Sequence, residues 1–150
     1  MNQAIQHIYL ADDDSDDRTF FSDALNEIPV ATSIEEFSNG VDLMAHLLNE
    51  DNTKPDAIFL DLKMPMMNGF ECLSDIRDLS MLDDVPVIIY STSFHEKDVE
   101  RLKNMGATLY LKKPSSFNQL KTLLHKCLNY ISTMAQNKSI PEPQFLISIL

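Results

Sequence analysis

Ala57-Ile58-Phe59-Leu60-Asp61-Leu62-Lys63-Met64-Pro65 is the stretch that decides the fold. Four apolar residues in a row, with no polar alternation, read as a strand buried on both faces, closed by an acid and followed by a turn at Met64-Pro65. A strand covered on both sides belongs to a parallel sheet, because the helices that cross over between parallel strands cover each face.

Working outward, short apolar runs recur at His7–Ala11, Ser33–Phe37, Val87–Tyr90 and Thr108–Leu111. With Ala57–Leu60 they make five strands, and Glu35 and Glu36 mark the second as an edge. Between them apolar residues fall at helical spacing: Phe20, Phe21, Ala24, Leu25 and Ile28, then Val41, Met44, Leu47 and Leu48, then Phe70, Leu73 and Ile76. Val99, Leu102 and Met105 mark a fourth helix; Phe117, Leu120, Leu124, Cys127, Leu128 and Ile131 mark a long fifth. The order is (βα)5. Right-handed crossovers turn this alternation into a doubly wound α/β sheet and bring every βα loop to the carboxyl edge of the strands, where ligands of such sheets bind.

The chain has 150 residues, room for one core, with 44% apolar and 23% charged residues. Its net charge of -11 opposes contact with a nucleic-acid backbone or an anionic membrane, so neither is expected as a partner. Two distant cysteines, Cys72 and Cys127, read as free thiols in a reducing compartment, which fits the cytoplasm. No signal sequence or membrane span is evident. Four histidines, His7, His46, His95 and His125, lack metal-ligand spacing. Residues 1–131 are assigned to the globular domain. Residues 132–150, with Pro141, Pro143 and the apolar end Phe145–Ile149, are assigned to a tail; its apolar residues require cover, from the same domain or from a dimer mate.

At the predicted carboxyl edge strand one ends in Asp12 and Asp13, strand three in Asp61, strand four in Ser91 and Thr92, and strand five in Lys112 and Lys113 before Pro114. Carboxylates about 4 Å apart repel by roughly 4 kcal/mol at an effective dielectric near 20, so such a group must protonate, separate or bind a cation. Hard oxygen donors favour magnesium. Each residue also has a plainer reading. The acids from Asp12 to Asp17 suit the positive end of the first helix, Asp61 suits a turn, and Lys113 suits a solvated surface.

Taken together these residues resemble the receiver domains of two-component response regulators. The likeness rests on Asp12-Asp13, on Asp61-Leu62-Lys63-Met64-Pro65 with Asn68-Gly69, on Ser91 after its apolar strand, and on Gly106-Ala107 with Tyr110 and Lys113-Pro114; it spans residues 6–131. The resemblance implies a flavodoxin-like fold with strand order 2-1-3-4-5 and a phosphorylation switch. In it Asp61 accepts the phosphoryl group, Asp13 holds Mg2+ directly, Asp12 holds it through water, and the Lys63 carbonyl is a further ligand. Lys113 pairs with phosphoryl oxygens, Ser91 with its neighbour Thr92 forms the hydroxyl switch, Tyr110 reports the change, and Pro65, Gly69 and Pro114 shape the turns. Asp14 is the fallback should the acidic pair be displaced by one residue.

The partners so implied are a sensor histidine kinase or a histidine phosphotransfer protein, and a downstream protein target, since no effector domain is seen after helix five. A homodimer through the face of helix 4, strand 5 and helix 5, or through the tail, is a further expectation. Fainter similarity links the chain to stand-alone regulators that serve phytochrome-type kinases. The switch is not a turnover enzyme. Two other functions compete: a receiver-like scaffold that is never phosphorylated, and a phosphatase of the haloacid dehalogenase type. The second needs an acid two residues after the nucleophile, where Lys63 stands.

Overall fold

The computed structural model describes residues 5–136 and 146–147. Its elements run β1 (Gln6–Ala11), α1 (Ser15–Glu27), β2 (Thr32–Phe37), α2 (Gly40–Leu48), β3 (Ala57–Leu60) and α3 (Gly69–Arg77), followed by a 3-10 turn at Ser80–Leu82. Then come β4 (Val87–Ser91), α4 (Glu96–Asn104), β5 (Leu109–Lys112), α5 (Phe117–Gln136) and β6 (Leu146–Ile147).

The five strands read from sequence lie in the order 2-1-3-4-5, all parallel. A sixth, β6, adds to the free edge of β5, with Tyr110 opposite Leu146 and Leu111 opposite Ile147. The five strands and their order hold as expected, and β6 extends them for a physical reason. Without β6, the outer edge of β5 would present unpaired N–H and C=O groups, and a short apolar segment of the same chain satisfies them. The other residues of the apolar end lie outside the described ones. Helix α5 also continues to Gln136, past the Ile131 at which its apolar periodicity ends.

Because successive strand residues point to opposite faces, the uninterrupted apolar runs feed two cores. Ile8, Leu10, Phe59, Ile88, Tyr90, Leu109 and Leu111 face α1 and α5. Tyr9, Ala11, Ile58, Leu60, Val87, Ile89 and Tyr110 face α2, α3 and α4. Strand β2 is half exposed, as its two glutamates require. Helix α2 departs from expectation: it buries Leu43, Met44 and Leu47, while Val41 and Leu48 point to solvent. Nine residues give it little more than two turns, so one narrow stripe makes all its contact and apolar residues at its ends fall off that stripe. Both cysteines are free and buried, and burial pushes each thiol up to about 12, which leaves them unreactive.

One side chain ties the amino-terminal edge together. Arg77 donates from Nε to Gly106 O (2.9 Å), from Nη1 to Leu82 O (3.0 Å) and from Nη2 to Val85 O (3.0 Å). Three loop carbonyls thus depend on one guanidinium. Arg77→Met, which keeps the aliphatic stem, should cost about 2 kcal/mol, read as a lower urea midpoint at unchanged slope.

Candidate phosphoacceptor and metal site

The site is assembled by backbone pairing at the carboxyl edge. Asp12 continues β1, its N–H donating to Phe37 O at 3.0 Å, and Asp61 continues β3, its N–H donating to Ala11 O at 3.0 Å. The two acids therefore leave adjacent strands at one level. Lys113 follows β5 and is fixed by its N–H to Ser91 O at 2.8 Å. Asp14 is the N-cap of α1, its Oδ1 accepting from Asp16 N (2.9 Å) and Asp17 N (3.2 Å). Its carboxylate is thus occupied by orphan helix N–H groups.

Carboxylate oxygens of Asp12, Asp13 and Asp61 lie within 4.8 Å of one another, with Asp12 and Asp61 buried and Asp13 exposed. Against them the Lys113 ammonium donates to Asp12 Oδ2 (2.6 Å), Asp17 Oδ2 (2.9 Å) and Asp61 Oδ2 (2.9 Å). Three carboxylates thus share one ammonium, with Asp13 a fourth beside them, and the excess negative charge is what a divalent cation would offset. Three hard oxygen donors at this spacing, one open to solvent, fit a magnesium ion that keeps several waters. Among the described residues this is the one cluster of potential ligands of that kind.

Charge and burial act in opposite directions here. Asp12 is 0% exposed, and burial pushes its carboxyl up to about 6 against the opposing pull of Lys113 and the Asp14 N–H. For Lys113 burial works to lower the pKa, but the hydrogen bonds it donates to Asp12, Asp17 and Asp61 outweigh it and hold the ammonium above its ordinary value. Lys113 is a fixed cation.

The remaining residues sit around this centre. The Lys63 side chain is exposed and its N–H donates to Asp61 Oδ1 at 3.3 Å. Ser91 is buried at the end of β4, its Oγ 3.0 Å from Ser93 Oγ, whereas Thr92 is exposed. Tyr110 is fully buried, its hydroxyl donating to Ser93 O; burial raises its pKa. Pro65 is exposed, Pro114 half-buried. Between Pro65 and Asn68 the chain turns through Met66 at φ 66°, a left-handed conformation that methionine seldom adopts. Asn68 then caps α3 in a reciprocal box with Glu71.

Gly69 opens α3 directly beneath the loop that carries Asp61 and Leu62. A Cβ there would lie 2.4 Å from Asp61 O and 2.8 Å from Leu62 Cα, both backbone atoms, so the loop itself would have to move. Gly69→Ala is therefore expected to cost about 1–3 kcal/mol. Because the displaced atoms carry Asp61, the acceptor that the resemblance implies, it should also slow any phosphoryl uptake there per folded molecule, measured by intact mass after the folded fraction is fixed by circular dichroism.

Two neighbours were not singled out as site residues from sequence. Asp17, in the first turn of α1, reaches Lys113, and Arg18 donates from Nη1 to Asp12 O at 2.7 Å while its Nε lies 3.4 Å from Glu36 Oε1. Asp17 stands within the acidic run, but nothing in the run tells which acid turns toward the strand edge.

With this geometry in view, comparison with known proteins is informative. The family described as the response regulator receiver domain matches residues 8–125. The chain belongs to the response regulator receiver family. The nitrate/nitrite response regulator NarL of Escherichia coli is 35% identical over 128 residues, covering 83% of this chain and 56% of NarL. The chain thus spans about half the length of that relative. Among solved structures, the phosphorylated cyanobacterial phytochrome response regulator RcpA superposes with a TM-score of 0.79 at 26% identity, over 87% of this chain and 96% of that one. The Mn2+-bound response regulator Rcp1, at TM-score 0.73 and 24% identity over 93% and 99% of the two chains, shares the fold. Phytochrome-associated regulators are thus among the relatives.

Membership supports a phosphorylation-dependent signalling role for this receiver. Receiver domains are in general switches and not turnover enzymes; histidine kinases phosphorylate them, and they bind Mg2+ at an acidic pocket. No helix among the described residues is long and apolar enough to cross a membrane.

Proposed function

We propose that this receiver accepts a phosphoryl group on Asp61, with Mg2+ held by Asp12, Asp13, Asp61 and the Lys63 carbonyl, and signals through protein contacts as a cytoplasmic element of a two-component system or phosphorelay. One observation carries the reading. The Asp61 carboxylate lies within 4.8 Å of two further carboxylates and 2.9 Å from a buried ammonium. This gives a nucleophile beside both a seat for a cation and a fixed positive charge.

In the proposed step an Asp61 oxygen attacks phosphorus in line, the new P–O bond forms, and the bond to the donor breaks with its electron pair leaving on the donor. The donor is a phosphohistidine of a sensor kinase or phosphotransfer protein. Negative charge spread over the phosphoryl oxygens is offset by Lys113, already aimed at Asp61, so positioning and electrostatics supply the catalysis. A bound magnesium supplies the remaining charge compensation.

The acyl phosphate then carries about two negative charges where one stood. Ser91 lies at the end of the neighbouring strand and is the hydroxyl available to it, with exposed Thr92 next in the chain. Since Ser93 accepts from Tyr110 and bonds Ser91, movement of that loop is passed to Tyr110. Tyr110 is on β5, so the α4, β5 and α5 face is the proposed output surface for a downstream protein or a second copy.

Incubation with Mg2+ and acetyl phosphate should add one phosphoryl group, releasing acetate, and peptide mapping should place it on the segment containing Asp61. Absence of any mass gain, or a gain elsewhere, overturns the assignment.

A further inference from the structure

An ammonium has three N–H donors, and Lys113 has committed all three, to Asp12, Asp17 and Asp61. A phosphoryl oxygen arriving on Asp61 would need one of them. Asp12 is the least able to release its share, being wholly buried with the shortest contact. Asp61 is the acceptor itself. Asp17 differs from both: its side chain is 39% exposed, on the first turn of α1, so water can replace the lysine when the contact opens.

We propose that Asp17 is a positioning residue that holds the third Lys113 hydrogen in the resting state and competes with the incoming phosphoryl group for it, thereby setting the rate of phosphoryl uptake. The inference rests on Asp61 being the acceptor and deepens that reading by assigning a restraint on the same site. Asp17 needs no contact with metal or phosphate to do this; it acts entirely through Lys113. Loss of its carboxylate leaves the ammonium bound to Asp12 and Asp61 with one donor free.

The test is the second-order rate of uptake from acetyl phosphate at saturating Mg2+, followed by intact mass. Asp17→Asn should take up phosphoryl groups roughly threefold faster than the wild type, the scale of one partly exposed ion pair, and Asp17→Glu should return the rate toward the wild type. Asp16→Asn removes an equal charge one residue away, from a carboxylate with no bond to Lys113, and should change the rate by less than about 1.5-fold because salt screens it. In a Lys113→Ala background, Asp17→Asn should have no effect, which neither a folding defect nor a general charge effect would produce. Equal rates for Asp17→Asn and Asp16→Asn, a slower Asp17→Asn, or an undiminished effect without Lys113 overturns the inference while leaving Asp61 as acceptor. A wild type that takes up nothing overturns both.

Discussion

Asp61→Asn should abolish phosphoryl uptake, with no mass gain under conditions that label the wild type fully, while the protein stays folded. The two halves of that expectation have separate causes. An amide oxygen carries no charge to form the new P–O bond, so chemistry stops at the first step. The fold does not need the charge: the backbone N–H of Asp61 bonds Ala11 O and its Oδ1 accepts from Lys63 N, and an asparagine oxygen can accept that same bond. Lys113 keeps Asp12 and Asp17. A folded, unlabelled variant therefore isolates the nucleophile. Residual labelling of Asp61→Asn at the wild-type rate would mean that another carboxylate is the acceptor, and Asp13, the exposed member of the cluster, would be examined next.

Why so much of this could be read from sequence is itself physical. Ala57–Leu60 reads as a buried strand because four unbroken apolar residues closed by an acid and a turn are too few for a helix and lack the alternation of a half-exposed strand, and the observed β3 has those bounds. Once β3 is parallel and central, the ends of β1, β4 and β5 must lie at the same rim, which brings Asp12, Asp61, Ser91 and Lys113 to one edge without any knowledge of side chains. What topology could not supply was orientation. The acids at positions 12, 13, 14, 16 and 17 are chemically alike, and only the course of the backbone into α1 makes Asp14 a cap and turns Asp17 to the lysine. Val41 and Leu48 misled for a related reason, since apolar spacing gives a helical face but not how much of a short helix finds a partner. The pairing of β6 was hidden because two residues carry no periodicity, and their place depends on an edge 35 or more residues earlier in the chain.

The second large effect is on stability, and its sign is opposite to that of an ordinary buried ion pair. Burial raises the Asp12 carboxyl from 3.8 to about 6 in the folded protein. Between those values the folded state holds a proton that the unfolded state has released, so the contribution of Asp12 to metal-free stability is greatest below pH 4 and is lost as pH rises through 6. At 1.36 kcal/mol per unit the ionised form costs about 3 kcal/mol at pH 7. Asp12→Asn should therefore stabilise the protein in EDTA at pH 7 by up to about 3 kcal/mol, because the amide has the same shape, no charge to desolvate and an oxygen for the Asp14 N–H; the gain falls short of that ceiling by what Lys113 loses when Nδ2 replaces the oxygen that accepts from it. The advantage should shrink to about 0.5 kcal/mol at pH 4, where the folded carboxyl is protonated and the unfolded one about half ionised, and should vanish below about pH 3. Magnesium reverses the comparison. On the proposed site the wild type should gain stability from the ion through its acidic cluster, whereas Asp12→Asn should bind it 10- to 100-fold more weakly, roughly the loss seen for outer-sphere ligands. Urea midpoints at pH 4 and 7, with EDTA or Mg2+, measure all four quantities. An Asp12→Asn variant less stable than the wild type in EDTA at pH 7 would show that the Lys113 bond outweighs burial, and that the acidic pocket is held together by its charges instead of being strained by them until a cation arrives.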